Sequence, residues 1–240
     1  MTDPLTVAGA LNFRDTGGLP AHGGTTRPGV LFRSGNLARV DAAGREALRN
    51  LGLRRIVDLR DDAEVEWEPT QLADLGHETV RIPLFAGSTA SFFAEDLSLD
   101  DLYRSLVDHS AESLVQVVRA VIADQPVLVH CTVGKDRTGV TVALALAAAG
   151  VDEDAVVADY ARTETLLPAQ RNERVVAYLR GLYPRARHLE DLATRSPAPA
   201  MRRVLDDLRT RFGAPVEFLR AHGLRDDEIA ELRRVLIAPR

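Results

Sequence analysis

Residues 126–150, PVLVHCTVGKDRTGVTVALALAAAG, constrain the fold more than any other stretch of the chain. PVLVH is a short apolar, β-branched run opened by proline, the pattern of a strand buried on both faces. TGVTVALALAAAG is apolar on nearly every face and predicts a helix in the interior. Three further strand-like runs, GVLFRSG (29–35), RRIVDLR (54–60) and HETVRIPL (77–84), are interleaved with or followed by helical patterns at 41–52, 102–124, 152–167 and 168–183. That order predicts an α/β fold with a mostly parallel central sheet flanked by helices.

Between the buried strand and the buried helix lies CTVGKDR. In such a sheet this loop sits at the C-terminal strand edge and at a helix N-terminus, where backbone N–H groups can surround an anion. Gly134 permits the tight curve that such a cradle needs. Cys131 is the chain's only cysteine, and the neighbouring helix N-terminus and cations favour the thiolate, which is the nucleophilic form. Arg137 offers a planar fork for two phosphoryl oxygens and keeps its charge at working pH. Thr138 is placed to donate a hydroxyl hydrogen bond to the sulfur. A lone cysteine is most often a small buried hydrophobe, but packing does not explain a glycine, lysine, aspartate and arginine in the same loop. Lys135 is the only lysine beside 29 arginines; its position in the anion cradle favours a functional reading over that of a solvated loop charge.

Bulk composition narrows the field. The 240 residues, 45% of them hydrophobic, suffice for a sizeable core. A net charge of −5 requires a local basic site for any polyanionic partner, and nothing points to nucleic acid. One cysteine excludes an internal disulfide. The first residues lack the basic and apolar regions of a signal peptide, and no apolar run is long enough to span a bilayer. A protein made in the cytoplasm without stable membrane insertion is expected, with export by a non-classical route left open. The histidines show no metal-ligand spacing, and neither a metal nor another cofactor is expected. An α/β domain over 1–195 and a helical extension over 196–240 packed on the same domain are the predicted parts; the segment at 85–110 reads either as a lid or as an ordinary long connection whose Phe92 and Phe93 plug into the core.

The run HCTVGKDRTG, through His130, Cys131, Gly134, Arg137, Thr138 and Gly139, resembles the signature loop of cysteine-dependent protein tyrosine phosphatases. Its GKDR form is similar to that of the atypical bacterial group, and NFRDTGGLP (12–20), LFRSGNL (31–37), VDLRDDAEVE (57–66) and ADYARTE (158–164) look like that group's other segments in order. The resemblance implies a metal-independent phosphatase acting on phosphotyrosine and, in some members, on phosphoserine, phosphothreonine or phosphoinositides. It implies that Cys131 forms a cysteinyl-phosphate, and that Arg137 with the backbone of Thr132, Val133, Gly134, Lys135, Asp136 and Arg137 binds the phosphoryl oxygens. His130 would tune the thiolate, against the alternative of a satisfied core histidine.

The proton donor is less plain. Asp136 is the candidate within the signature, with a scaffold role holding Lys135 as its competitor. Asp58 could face the site, although anchoring the loop or pairing with Arg60 is the stronger reading. Asp96, Asp100 and Asp101, on the expected lid, are outside candidates. Asn12, Arg14 and Asp15 could brace the signature loop or simply shape a turn, and Asp159 and Tyr160 could be ordinary packing positions. Two other classes stay in play: a phosphate-binding module without turnover, and a rhodanese-type sulfurtransferase, which the arginine six positions after the cysteine disfavours. Lys135 also predicts activity on multiply phosphorylated head groups. The oligomeric state is not legible.

Overall fold

The computed structural model describes residues 6–84 and 89–239. Its strands are β1 (Arg14–Asp15), β2 (Pro20–Ala21), β3 (Gly24–Thr26), β4 (Leu31–Ser34), β5 (Arg55–Asp58), β6 (Glu78–Arg81), β7 (Val127–His130) and β8 (Ile237–Pro239). The first helices are α1 (Ala42–Asn50), α2 (Asp62–Trp67), α3 (Thr89–Ala94), α4 (Leu99–His109), α5 (Ala111–Ala123) and α6 (Arg137–Ala149). They are followed by α7 (Glu153–Ala161), α8 (Thr163–Leu166), α9 (Ala169–Leu182), α10 (Leu189–Thr194), α11 (Ala198–Phe212), α12 (Pro215–Ala221) and α13 (Asp226–Leu236).

The main sheet has the order β1-β4-β7-β5-β6, parallel except where β1 joins β4. Alternation along the central strands explains its two-sided burial. Leu31, Val57, Val127 and Val129 face one apolar cluster with α4–α7 and α11–α13, whereas Phe32, Ile56 and Leu128 face a second cluster covered by α1. Asp41 starts α1 by accepting from the Gly44 N–H at 2.8 Å. His130 lies in register with both Ser34 and Asp58, so the loops leaving β4, β5 and β7 share one sheet edge. The α/β class and mostly parallel sheet expected from the sequence are what the chain adopts.

The structure corrects one expectation and adds detail to two. The pattern at 102–124 is two helices, α4 and α5, divided at Ser110, whose φ of −124° and ψ of 20° leave the helical region. Within the expected lid, residues 99–109 form α4, whose Leu102, Tyr103, Leu106 and Val107 are buried in the main core; residues 85–88 of that segment lie outside the described residues. Residues 196–240 contain the helices α11–α13, which pack on the same domain. Met201, Leu205, Leu208, Phe218 and Leu232 complete the main core, and the chain ends in β8, which pairs with β3 in a three-stranded antiparallel sheet with β2. Among the described residues, no helix is long and apolar enough to cross a membrane.

Candidate active site

The loop between β7 and α6 is shaped from behind. The Thr132 carbonyl accepts from the Asn36 N–H at 3.0 Å, and the Gly134 carbonyl accepts from Asn12 Nδ2 at 2.7 Å and Arg33 Nη2 at 3.0 Å. With these carbonyls turned into the scaffold, the N–H groups of Val133, Lys135 and Asp136 have no acceptor among the described residues. They add to the unsatisfied donors at the start of α6, an arrangement of backbone donors suited to an anion. Gly134, at φ +75°, also donates its N–H to Cys131 Sγ at 3.3 Å. A Cβ at this glycine would stand 2.5 Å from the backbone of Ser34 and Gly35, so both conformation and space demand glycine. Cys131 itself is a free, buried thiol.

Behind the braces lies a buried charge network. Asp159 accepts from Arg14 Nε at 2.8 Å and from Arg33 Nη1 at 2.7 Å, and Arg14 also donates to Asn12. Burial and the neighbouring Arg33 lower Arg14 to a pKa of about 9. Burial works against the Asp159 carboxylate, yet the two arginines hold it below the usual range. Asp159 thus fixes Arg33, which holds Gly134 directly, and Arg14, which holds it through Asn12.

At the far end of the loop, Arg137 Nη1 and Nη2 donate to the two oxygens of Glu64 at 2.5 and 2.6 Å. Thr132 Oγ1 donates to Glu64 and accepts from Arg137 Nη2 at 3.2 Å. Glu64 occupies the N3 position of α2, where it completes a capping box with Asp61. Burial would raise its pKa, but the hydrogen bonds from Arg137 and Thr132 bring it down to about 2. For Arg137 the sign is reversed: burial opposes its charge, and Glu64 more than restores it.

Lys135 does not reach into open solvent. Its buried ammonium donates to Asp136 Oδ1 at 2.7 Å and to the Arg195 carbonyl at 3.0 Å. The same Oδ1 accepts from the Tyr103 hydroxyl at 2.8 Å, and Tyr103 shares a 2.6 Å hydrogen bond with the Tyr160 hydroxyl. Burial, followed by the charge of Asp136, pushes both phenols above their ordinary pKa. Both are therefore neutral hydroxyls at working pH, and Asp136 Oδ1 is held by two donors, the Lys135 ammonium and the Tyr103 phenol.

A model of the tyrosine phosphatase family matches residues 5–238. The chain belongs to that family. Relatives include the triple specificity protein phosphatase PtpB of Mycobacterium tuberculosis, 35% identical over 198 residues, covering 69% of this chain and 71% of the relative. A putative tyrosine-protein phosphatase of Cupriavidus necator is 36% identical over 183 residues, covering 71% of this chain and 66% of that protein. Among solved structures, Pseudomonas aeruginosa TpbA matches at 18% identity with a TM-score of 0.40, covering 76% of this chain and 89% of that one.

Within this family member the remaining candidates fall into place by their partners. His130 is fully buried, and burial lowers its pKa to about 4, so it is a neutral imidazole at working pH; its Nδ1 lies 3.4 Å from the Cys131 carbonyl and its Nε2 3.7 Å from Asp58. Asp58 pairs with Arg60, the stronger of its two sequence readings. Its oxygens accept from Arg60 Nε at 2.9 Å and Nη2 at 2.7 Å, and burial is outweighed by these bonds so that its pKa stays low. The Thr138 hydroxyl, expected on the sulfur, is buried without a hydrogen-bond partner among the described residues. Asp96 accepts from Arg187 and the His188 N–H, Asp101 caps α4 with Ser98, and Asp100 pairs with Arg203. Asp15 shapes a turn by accepting from the Gly17 and Gly29 N–H groups. Glu64, Arg33 and Tyr103 are the site residues that the sequence reading missed. Only the capping box in DDAE marked Glu64, and it signalled a helix start and not an arginine partner.

Proposed function

We propose that the protein is a cysteine-dependent phosphatase that hydrolyses phosphotyrosine through a cysteinyl-phosphate. The observation that carries the reading is one loop with Cys131 at its start and Arg137, gripped by Glu64, at its end, around backbone donors held inward by Asn12 and Arg33. The phosphoryl group sits among the N–H groups of residues 132–137, with Arg137 on its equatorial oxygens. Cys131 Sγ attacks phosphorus, the bond from phosphorus to the tyrosyl oxygen breaks, and Asp136 protonates that leaving oxygen. Asp136 then takes a proton from water as the water oxygen attacks phosphorus, the S–P bond breaks, and inorganic phosphate and the thiolate are released.

Lys135 and Tyr103 in this reading are positioning residues that hold Asp136 Oδ1 and leave its second oxygen for proton transfer. His130 supports the loop as a neutral group. The broader range of phosphoserine, phosphothreonine and phosphoinositides belongs to the same proposal, and one relative's name speaks of triple specificity. The test is phosphate release from a phosphotyrosine peptide without added metal. Loss of turnover in Cys131→Ser is the expected result; a folded wild type without turnover, or a serine variant that retains it, sinks the proposal.

A further inference from the structure

Beside the signature loop runs a groove of about 690 Å³, with Thr132 and Val133 on one wall and Arg171, Arg174, Val175 and Tyr178 of α9 on the other. It adjoins the anion cradle without including Cys131, so it is placed to take what the scissile phosphate is attached to and not the phosphate itself. Its volume is several times that of a phosphoryl group.

The charges in this groove are out of balance. Most arginines of the chain sit in ion pairs, and Arg180, on the same helix, pairs with Glu190 at 3.2 Å. Arg171 and Arg174 have no carboxylate partner among the described residues; Arg171 donates to Asn172 Oδ1 at 2.9 Å and Arg174 to the Gln170 carbonyl at 3.2 Å. Burial lowers the pKa of Arg171, with no neighbouring acid to compensate. The acid that lines the groove, Glu68, is already bonded to Arg39 and Asn36. Three residues apart on a helix, the two guanidiniums share one face and can grip anions together.

We propose that Arg171 and Arg174 are specificity-determining residues that bind acidic side chains flanking the phosphotyrosine of a peptide substrate. The proposal rests on the phosphatase reading above and adds its substrate class. A peptide fits better than a compact polyol phosphate because the groove is mixed: Leu11, Val133, Pro168, Val175 and Tyr178 supply apolar wall for flanking side chains, and the two arginines supply charge. Lys135, sequestered by Asp136 and the Arg195 carbonyl, does not supply that charge. No residue of α9 is fully buried, so the face can be altered without opening the core.

The experiment titrates Cys131→Ser protein with two phosphotyrosine peptides of equal length, one with Asp and Glu on both flanks and one with Ser and Gln. Binding is read directly, so a failure of turnover, measured separately on wild type with 4-nitrophenyl phosphate, tests the underlying reading without touching this one. The acidic peptide should bind about tenfold more tightly at low salt, and the preference should shrink in high salt. Arg171→Gln with Arg174→Gln should reduce it to below about threefold, while Arg180→Gln should keep it. Equal affinities for the two peptides in the parent protein would overturn the proposal. So would a preference that survives the double substitution, or a double variant that loses binding to phosphoinositide vesicles while its peptide preference stays intact.

Discussion

Glu64 and Arg137 meet through two hydrogen bonds of 2.5 and 2.6 Å, joining the first turn of α2 to the first residue of α6. The pair fixes the plane of the guanidinium before substrate arrives, which is the part of phosphoryl binding that a flexible side chain would otherwise leave to chance. Replacing Glu64 by Gln removes the charge and one acceptor. We expect kcat/KM for a phosphotyrosine peptide to drop about 10- to 100-fold in steady-state kinetics, with Cys131 still present and reactive. A loss of less than about threefold would leave Glu64 a purely structural role.

The same pair makes the fold sensitive to acid. Glu64 has its folded pKa depressed to about 2 from an ordinary 4.5, so its contribution is complete above about pH 4.5 and is lost as pH falls toward 2. Its value, discounted for partial exposure, is about 2 kcal/mol. Urea denaturation should therefore show Glu64→Gln less stable than wild type at pH 7, with the gap closing near pH 2.

His130 acts over a different window. Buried as the neutral ring with a pKa of about 4, against 6.5 when unfolded, it leaves the unfolded chain binding the extra proton between those values. Stability therefore falls as pH drops from about 6.5 to 4, by up to about 3 kcal/mol. A His130→Asn variant that folds should lack this slope in denaturation curves taken between pH 7 and 4.

Asp136 as proton donor predicts a dependence on the leaving group. Asp136→Asn should lower kcat on phosphotyrosine by about 100-fold or more and leave an activated aryl phosphate much less affected, since a good leaving group needs no proton. Tyr103→Phe, which removes one of the two donors to Oδ1, should shift the pH–rate profile of the same reaction. Equal losses on both substrates for Asp136→Asn would assign it a scaffold role.

Gly134→Ala tests the loop backbone. A Cβ 2.5 Å from the backbone of Ser34 and Gly35, at a φ of +75°, requires the loop to move away from its braces. Thermal denaturation should register a loss of about 2 kcal/mol or more, and phosphate release should fall with it.

The chemistry of the loop and its βα setting were legible in the chain itself, because Cys131, Gly134 and Arg137 are close in sequence and the flanking periodicities announce a buried strand and a buried helix. The same local signals predicted the strands that became β4, β5, β6 and β7. Short strands such as β1 and β8 carried no such signal: two or three residues are too few for a period, and their pairing depends on Arg14 meeting Arg33 and Thr26 meeting Ile237. Local pattern also left the acidic residues around the site unranked. Asp58, Asp96, Asp101, Asp136 and Glu64 are alike as sequence, and only the folded chain sends Asp58 to Arg60, Asp96 to Arg187 and Glu64 to Arg137. Ionic partners 73 or 126 residues apart, such as Glu64 with Arg137 or Arg33 with Asp159, are chosen by the packing of elements, which no spacing records. Cys131, Arg137 and the loop between them were thus determined by contiguous sequence, whereas the groups that orient them were decided by tertiary structure, since a hydrogen bond needs only proximity in space.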